Sequence, residues 1–252
     1  MSLRRCLVFE LGLVNYLESL GLQHELVRAR QEQAIEDCLL VLQHPPVVTL
    51  GASAKPSDIA AAQIQLQPWG IPVFATERGG KATYHGPGQL VGYPIIDLRL
   101  QGKDLHRYLH DIEEVIMLTL GDFGIRAHRQ RGVPGVWVGE AKIAAIGIAV
   151  RRWVSYHGFA LNIDPDMSHF ELIDPCGLGR DSVVSVKELV SPLPDLSRVK
   201  DRLLHHFGHI FHRDMVRVQG PGLAGAARRR LSLKDEGHIY EAAVPHLSAG
   251  CS

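Results

Sequence analysis

One cysteine stands out by its neighbours as a candidate nucleophile. Cys176 lies between a proline and a glycine in the segment 174–178, which is typical of a tight exposed turn rather than of a buried apolar element. A free thiol has a pKa of about 8.5 and is only partly ionised at neutral pH, so an efficient thiolate needs a nearby cation or base. The segment therefore predicts covalent chemistry at Cys176, with a partner that the local sequence does not identify.

A glycine-rich segment over residues 78–90 is a candidate ligand loop, with the sequence Arg-Gly-Gly-Lys-Ala-Thr-Tyr-His-Gly-Pro-Gly-Gln-Leu. Paired glycines let the backbone approach a ligand, and their amides can bind negative charge, to which Arg78 and Lys81 would add positive potential. The spacing matches neither the Walker phosphate loop nor the dinucleotide fingerprint. Glycines alone favour a plain turn, but the polar and aromatic side chains interleaved with them favour a ligand loop.

A predicted strand over residues 142–150 carries small residues on one face. Simple alternation puts positions 145, 147 and 149 together, which would leave a slot for an extended aliphatic chain. Taken alone, the pattern is more typical of a solvated hairpin lysine at Lys142 and a glycine that relieves crowding at Gly147. A second strand, 157–162, brackets an aromatic ring with small residues and is most often core packing, with His157 as a satisfied core histidine.

The composition is that of an ordinary globular protein. The 252 residues fit one large domain or two small ones, with 46% apolar and 21% charged residues. Lysine plus arginine equals aspartate plus glutamate, at 27 each, and this balance argues against bulk nucleic-acid binding. We expect any protein partner to recognise a local patch instead.

The cysteines and the apolar runs indicate a cytoplasmic protein. The four cysteines are scattered, without a Cys-x-x-Cys pair or a zinc-ligand spacing, so a reducing compartment is the simpler reading and no metal is expected. The amino terminus has no apolar stretch long enough for a signal peptide. A run of about 18 apolar residues, which a membrane span needs, is absent from the sequence.

The elements that must position these residues follow from periodicity and breakers. Helices are predicted over 16–35, from the N-cap Asp104 to Gly121 or Gly124, and from the N-cap Asp195 to Phe211; strands are predicted at 5–10, 37–42, 47–50, 73–76 and 154–163, with a hairpin over 135–150 and a partly helical stretch at 52–70. The pattern predicts one mixed α+β domain over residues 1–218, with helices packed on a sheet. We expect a weakly ordered C-terminal tail over residues 219–252.

Together, four segments resemble the lipoyl(octanoyl) transferases, a family of octanoyl-acyl-carrier-protein–protein octanoyltransferases. They appear in the same order as in the family. The four segments, each numbered at its first residue, are Arg78-Gly-Gly-x-x-Thr-Tyr-His-Gly-Pro-Gly-Gln-Leu-Val, Lys142-Ile-Ala-Ala-Ile-Gly-Ile, Tyr156-His-Gly-Phe-Ala-Leu-Asn and Pro175-Cys-Gly-Leu. The resemblance implies the catalytic-domain fold of biotin and lipoate protein ligases, a class II synthetase-like mixed β-sheet flanked by helices.

The resemblance also implies roles for individual residues. Cys176 would carry the acyl group as a thioester, and Lys142 would lower the pKa of its thiol and move protons. The remaining family positions would line the acyl and substrate site: Arg78, Gly79, Gly80, Lys81, Ala82, Thr83, Tyr84, His85, Ala145, Ile146, Gly147, Gly158, Phe159 and Ala160.

The implied reaction moves an octanoyl group from octanoyl-acyl carrier protein to a lysine of a lipoyl domain, without ATP or another cofactor. Lipoyl-acyl carrier protein is a second possible donor, and the implied acceptors are the lipoyl domains of 2-oxoacid dehydrogenases and the glycine cleavage H protein. Because acyl carrier proteins are acidic, a basic patch should receive the donor. Two candidates are residues 126–131, with Arg129 and Arg131, and the pair Arg151-Arg152.

Three alternatives remain. An ATP-dependent lipoate or biotin ligase shares the fold but needs no nucleophilic cysteine, so Cys176 argues against it. A non-catalytic module that binds carrier or lipoyl domains would not need both Lys142 and Cys176. An amidotransferase that moves acyl groups between lipoyl-bearing proteins is disfavoured less decisively.

Overall fold

The computed structural model describes residues 3–172 and 183–218, which belong to the unit Met1–Val218. The described elements, in chain order, are β1 (Arg4–Leu13), α1 (Tyr16–Gln31), β2 (Asp37–Gln43), β3 (Val47–Leu50), α2 (Pro56–Leu66), β4 (Val73–Ala75), β5 (Ala82–His85), β6 (Gln89–Ile95), α3 (Leu105–Gly121), β7 (His128–Gln130), β8 (Val133–Val138), β9 (Ala141–Arg151), β10 (Val154–Asn162), α4 (Val186–Leu189), α5 (Leu196–Phe211) and β11 (Arg213–Arg217). Short 3₁₀ turns lie at Gln67–Trp69, Leu98–Gln101 and Met167–Leu172.

An eight-stranded mixed sheet forms the centre of this structure, in the order β11-β1-β2-β6-β10-β9-β8-β7. β1 is parallel to both β11 and β2, whereas every other neighbouring pair in this sheet is antiparallel. A smaller sheet, β4-β3-β5, carries the start of the glycine-rich segment. The predicted mixed sheet flanked by helices is therefore confirmed.

The main core lies between the large sheet and the helices α3 and α5. In α3, Tyr108, Ile112, Val115 and Ile116 are fully buried, and this spacing puts them on one helical face. Asp104 caps α3, because its carboxylate accepts a hydrogen bond from the backbone N–H of Arg107 at 3.0 Å. The amphipathic pattern and the capping residue that predicted this helix are both confirmed.

A second core lies beneath the small sheet. Val48, Leu66, Ile71, Tyr84 and Phe170 are buried together there, so α2 and the turn Met167–Leu172 pack against β3 and β5. This core holds β5, and with it the second half of the glycine-rich segment, in a fixed position.

The structure differs from the predicted elements in several places. The first helix ends at Gln31 rather than near residue 35, because the chain turns at Gln33, where φ is +58°. The partly helical stretch contains the whole of α2, and the predicted ligand loop contains the strand β5 and the first two residues of β6. The predicted tail, 219–252, lies outside the described residues. No helix among the described residues is long and apolar enough to cross a membrane.

Candidate active site

A cavity of about 210 Å³ lies between the glycine-rich segment and the strands β9 and β10. Most of the sequence-predicted site residues line it, although they come from three separate segments: Arg78, Gly79, Gly80, Lys81, Ala82, Thr83, His85, Lys142, Ala145, Ile146, Gly147, Gly158, Phe159 and Ala160. Tyr84 does not line it. Cys176 lies outside the described residues.

Tyr84 faces away from the cavity because it belongs to a strand rather than to a loop. In β5 successive side chains point to opposite sides, so Thr83 and His85 reach the cavity while Tyr84 packs in the second core. Its hydroxyl pairs with Nδ1 of His169 at 2.8 Å, and burial raises the pKa of Tyr84 to about 12. Tyr84 thus supports the wall of the cavity from behind.

The Arg78 side chain holds the glycine-rich segment in place. Its guanidinium is buried and donates to Oγ1 and the carbonyl oxygen of Thr49 and to the carbonyl oxygens of Gly79 and Lys81, at 2.5 to 3.2 Å. A planar guanidinium fits such a convergent set of acceptors, which an ammonium group does not. The positive potential that we expected from Arg78 is therefore accompanied by a structural role.

The paired glycines let the segment lie directly on β9. The backbone N–H of Gly79 donates to the carbonyl oxygen of Ile148 at 2.9 Å, and an ideal Cβ on Gly147 would lie 2.8 Å from the carbonyl oxygen of Gly79. Ala145 and Gly147 of the predicted small-residue face line the cavity and Ala149 does not, and at Gly147 the loop backbone takes up the space. Residues 145 and 160, which pair across β9 and β10, leave the open part of this face.

His85 is neutral and donates a hydrogen bond to Gln89. The side-chain NH₂ of Gln89 donates to the carbonyl oxygen of Tyr84 and to Oδ1 of Asn162, so its Oε1 accepts from Nδ1–H of His85 at 3.1 Å. That arrangement leaves Nε2 of His85 with the lone pair. Burial lowers the pKa of His85 well below its ordinary value, so the ring is uncharged at neutral pH.

Sequence reasoning missed a group of buried rings at the same end of the cavity. His44 pairs through Nδ1 with the carbonyl oxygen of Val14 at 2.6 Å and through Nε2 with the hydroxyl of Tyr93 at 2.8 Å. Burial lowers the pKa of His44 to about 4. Tyr93, Tyr16 and His157 line the cavity, whereas His44 does not line it and packs against the ring of His85. These residues come from α1, β6, β10 and the turn after β2, so the only signal in the sequence was their polarity within apolar stretches.

His157 is buried, as predicted for a core histidine, but it also borders the cavity. Its φ of +54° breaks the regular strand geometry of β10, and its backbone N–H donates to Oε1 of Gln23 at 2.8 Å. Its Nε2 lies 3.7 Å from the carboxylate of Glu77. The neighbouring imidazole of His157 lowers the pKa of Glu77 to about 2.

Lys142 lies at the start of β9, beside Val183 and Val184. Its backbone pairs with Val183 in a parallel bridge, and its carbonyl oxygen accepts from the N–H of Val184 at 3.1 Å. Phe170 and Val183, which flank residues 173–182 on either side, both line the cavity. Described residues on both sides of positions 173–182 therefore line the same cavity as Lys142.

One of the two predicted basic patches is partly neutralised. The guanidinium of Arg129 pairs with the carboxylates of Glu113 and Glu114, at 3.0 and 2.6 Å, so this arginine ties β7 to α3. Arg131 is exposed two residues before Val133, which lines the cavity. Of these two arginines, only Arg131 is exposed and not paired with Glu113 and Glu114, as we expect of a residue that contacts a protein partner.

The fold of this chain is that of lipoate and biotin protein ligases. Lipoate-protein ligase A bound with ATP has a TM-score of 0.71 at 20% identity, and the similarity covers 93% of this chain and 95% of that structure. Biotin protein ligase from Aquifex aeolicus, in complex with biotin and ATP, has a TM-score of 0.51 at 12% identity, covering 82% and 70%. Because both identities are low, these similarities establish the fold alone.

Sequence relatives identify the family. The family model described as the lipoyl protein ligase A/B catalytic domain matches residues 15–208. The chain is 44% identical to an octanoyltransferase of Solibacter usitatus over 89% of this chain and 100% of that protein, and 48% identical to one of Gloeobacter violaceus over 77% and 83%. The chain belongs to the lipoyl protein ligase A/B catalytic-domain family and, like these octanoyltransferase relatives, is an acyltransferase.

Proposed function

We propose that the protein transfers an octanoyl group from octanoyl-acyl carrier protein to a lysine of a lipoyl domain, through a thioester on Cys176. The observation that carries the proposal is the cavity that Lys142 shares with the glycine-rich segment and with both flanks of residues 173–182. Its apolar lining suits an acyl chain, and the octanoyltransferase relatives share the reaction class.

In the first step, the thiolate of Cys176 attacks the carbonyl carbon of the donor thioester, and the thiol of the carrier leaves. A protonated Lys142 nearby would favour the thiolate, because a positive charge lowers the pKa of a thiol. One thioester replaces another, so this step is nearly balanced in free energy.

In the second step, the acceptor lysine attacks the acyl-enzyme, an amide bond forms and the carbon–sulfur bond breaks. The attacking amine must be neutral, and Lys142, once deprotonated, would accept its proton. Formation of the amide is downhill, so the reaction requires no ATP. Backbone N–H groups of the glycine-rich segment are candidates for stabilising the tetrahedral oxyanion.

The proposed donor, an acyl thioester, differs from the free acid and ATP that an ATP-dependent ligase uses, and such a ligase is the competing function for this fold. Two of the ligase structures that share the fold are bound with ATP, one of them together with biotin. A nucleophilic cysteine beside Lys142 would be superfluous in a ligase. One solved neighbour is described as a bi-partite lipoate protein ligase with its E2 lipoyl domain, which supports a lipoyl domain as the acceptor here.

The experiment is a transfer assay with purified lipoyl domain as acceptor. We expect octanoylation of the domain with octanoyl-acyl carrier protein in the absence of ATP, and none with octanoic acid plus ATP. Modification that requires ATP and free acid would support the ligase instead. A cytoplasmic location is part of the proposal, because Cys6 and Cys38 are free buried thiols, as expected in a reducing compartment.

A further inference from the structure

We propose that β8 forms a cradle for the side chain of Lys142, in which Gly135 makes room for its aliphatic stem and Trp137 holds its ammonium group. The proposal rests on the function proposed for Lys142 and adds Trp137 as a positioning residue. Neither residue belongs to the motifs from which the site was predicted.

Trp137 faces Lys142 directly. The two residues are paired across the β8–β9 hairpin, next to a register shift between Val136 and Trp137. The Nζ atom of Lys142 lies over the indole ring, 4.8 Å from its centre. A cation within about 6 Å of the centre of a tryptophan face is attracted by the electron density of the ring.

The indole is held by packing. Trp137 is 2% exposed, and among the described residues its Nε1–H has no hydrogen-bond partner. A buried indole usually donates a hydrogen bond, but no such bond to a described residue stabilises the ring of Trp137. Its flat face, rather than its polar edge, is therefore the part that interacts with Lys142.

Gly135 completes the cradle. Its φ of +137° is unfavourable for residues with a side chain, and an ideal Cβ there would lie 3.2 Å from Cε and 3.4 Å from Cδ of Lys142. The stem of the lysine therefore passes over the glycine. The N–H of Gly135 also donates to Oε1 of Glu113 at 3.2 Å, which fixes this part of β8 to α3.

The consequence for the reaction is a preorganised ammonium group. A lysine has four rotatable side-chain bonds, and a group that must act at a given point gains from being held there before the substrate binds. Stacking on Trp137 selects the rotamers in which Nζ stays at the cavity. Loss of the ring should therefore lower kcat, with little change in the KM for the donor.

Two substitutions of Trp137 separate stacking from packing. Trp137→Phe and Trp137→Met leave side chains of similar size, but only phenylalanine keeps an aromatic face. We expect Trp137→Met to lower kcat for octanoyl transfer about tenfold, which corresponds to about 1.4 kcal/mol and lies within the range of a desolvated cation–π contact. Trp137→Phe should keep at least about a third of kcat, and both variants should keep KM within about twofold.

Trp153→Met is the matched control, because Trp153 also lies under a lysine, Lys103, at 5.8 Å, but away from the cavity. It should leave kcat unchanged. Equal losses in Trp137→Phe and Trp137→Met would overturn the proposal and leave Trp137 a packing residue. If the wild-type protein does not use octanoyl-acyl carrier protein at all, the proposed function fails, which is a different result.

A further measurement does not depend on the folding of the methionine variant. With Trp69 and Trp153 replaced by phenylalanine, trifluorinated tryptophan incorporated at position 137 keeps the shape of the ring but weakens the negative potential of its face. We expect kcat to fall by at least about threefold relative to the same variant with ordinary tryptophan. An unchanged kcat would contradict the proposal.

Discussion

The carbonyl oxygen of Gly79 lies where a side chain on Gly147 would begin, with only 2.8 Å between that oxygen and an ideal Cβ. The absence of a side chain at position 147 allows the N–H of Gly79 to bond to Ile148, and so allows the glycine-rich segment to form one wall of the cavity. This contact relates two of the segments by which the family is recognised.

Gly147→Ala should therefore displace the glycine-rich segment from β9. We expect kcat/KM for octanoyl transfer to fall by about tenfold or more, because misplaced binding groups cost this much even at small displacements. Steady-state kinetics of purified protein measures the effect.

Gly21→Ala is the control for that substitution, because a Cβ on this exposed glycine of α1 would contact nothing within 4 Å. It should leave activity unchanged and raise the free energy of unfolding by roughly 0.5–1 kcal/mol. Full activity in Gly147→Ala would show that the loop tolerates displacement.

The buried histidines predict how stability depends on pH. Burial lowers the pKa of His44 to about 4 in the folded protein, whereas the same imidazole has a pKa of about 6.5 in the unfolded chain. Between these two pH values the unfolded chain therefore binds a proton at His44 that the folded protein does not bind. Stability should consequently fall as the pH is lowered from about 6.5 to about 4, by roughly 3 kcal/mol for this residue alone. Urea unfolding at several pH values measures this loss.

His44→Gln tests the assignment. The free energy of unfolding of the variant should fall less steeply with decreasing pH over the same range. The difference in slope from the wild-type protein should correspond to about one bound proton. His209→Gln, on the exposed side of α5, controls for the substitution itself. Identical slopes for His44→Gln and the wild-type protein would exclude His44 as a source of the acid sensitivity.

The two arginines of the first basic patch should behave differently. Arg131→Glu is expected to raise the KM for octanoyl-acyl carrier protein several-fold at low salt, because Arg131 is exposed beside the cavity. Arg129→Glu should instead lower the melting temperature, since it puts a third carboxylate beside Glu113 and Glu114. An unchanged KM in Arg131→Glu would remove this patch as the docking site.

The sequence was sufficient to predict those helices, strands and cavity-lining segments that are defined by residues close together in the chain. Periodicity and the Asp104 cap were enough for α3, and the motifs were enough for the loop and the small-residue strands. Tyr84 was assigned to the site because it belongs to the family motif, and a motif does not show that strand alternation in β5 turns this ring into the second core.

Other site residues depend on the topology of the sheet. His44 and Tyr93 are 49 positions apart and meet only because β2 and β6 are neighbours. Trp137 could be placed in a hairpin from the sequence, but its position under Lys142 depends on the register shift beside it. Local patterns do not encode such a register.

The mass of the intact protein after mixing with octanoyl-acyl carrier protein, without ATP, tests the central claim most directly. We expect a gain of one octanoyl group that is absent in Cys176→Ala and is discharged when a lipoyl domain is added. No adduct on the wild-type protein, or an adduct of equal yield in Cys176→Ala, would contradict a thioester on Cys176.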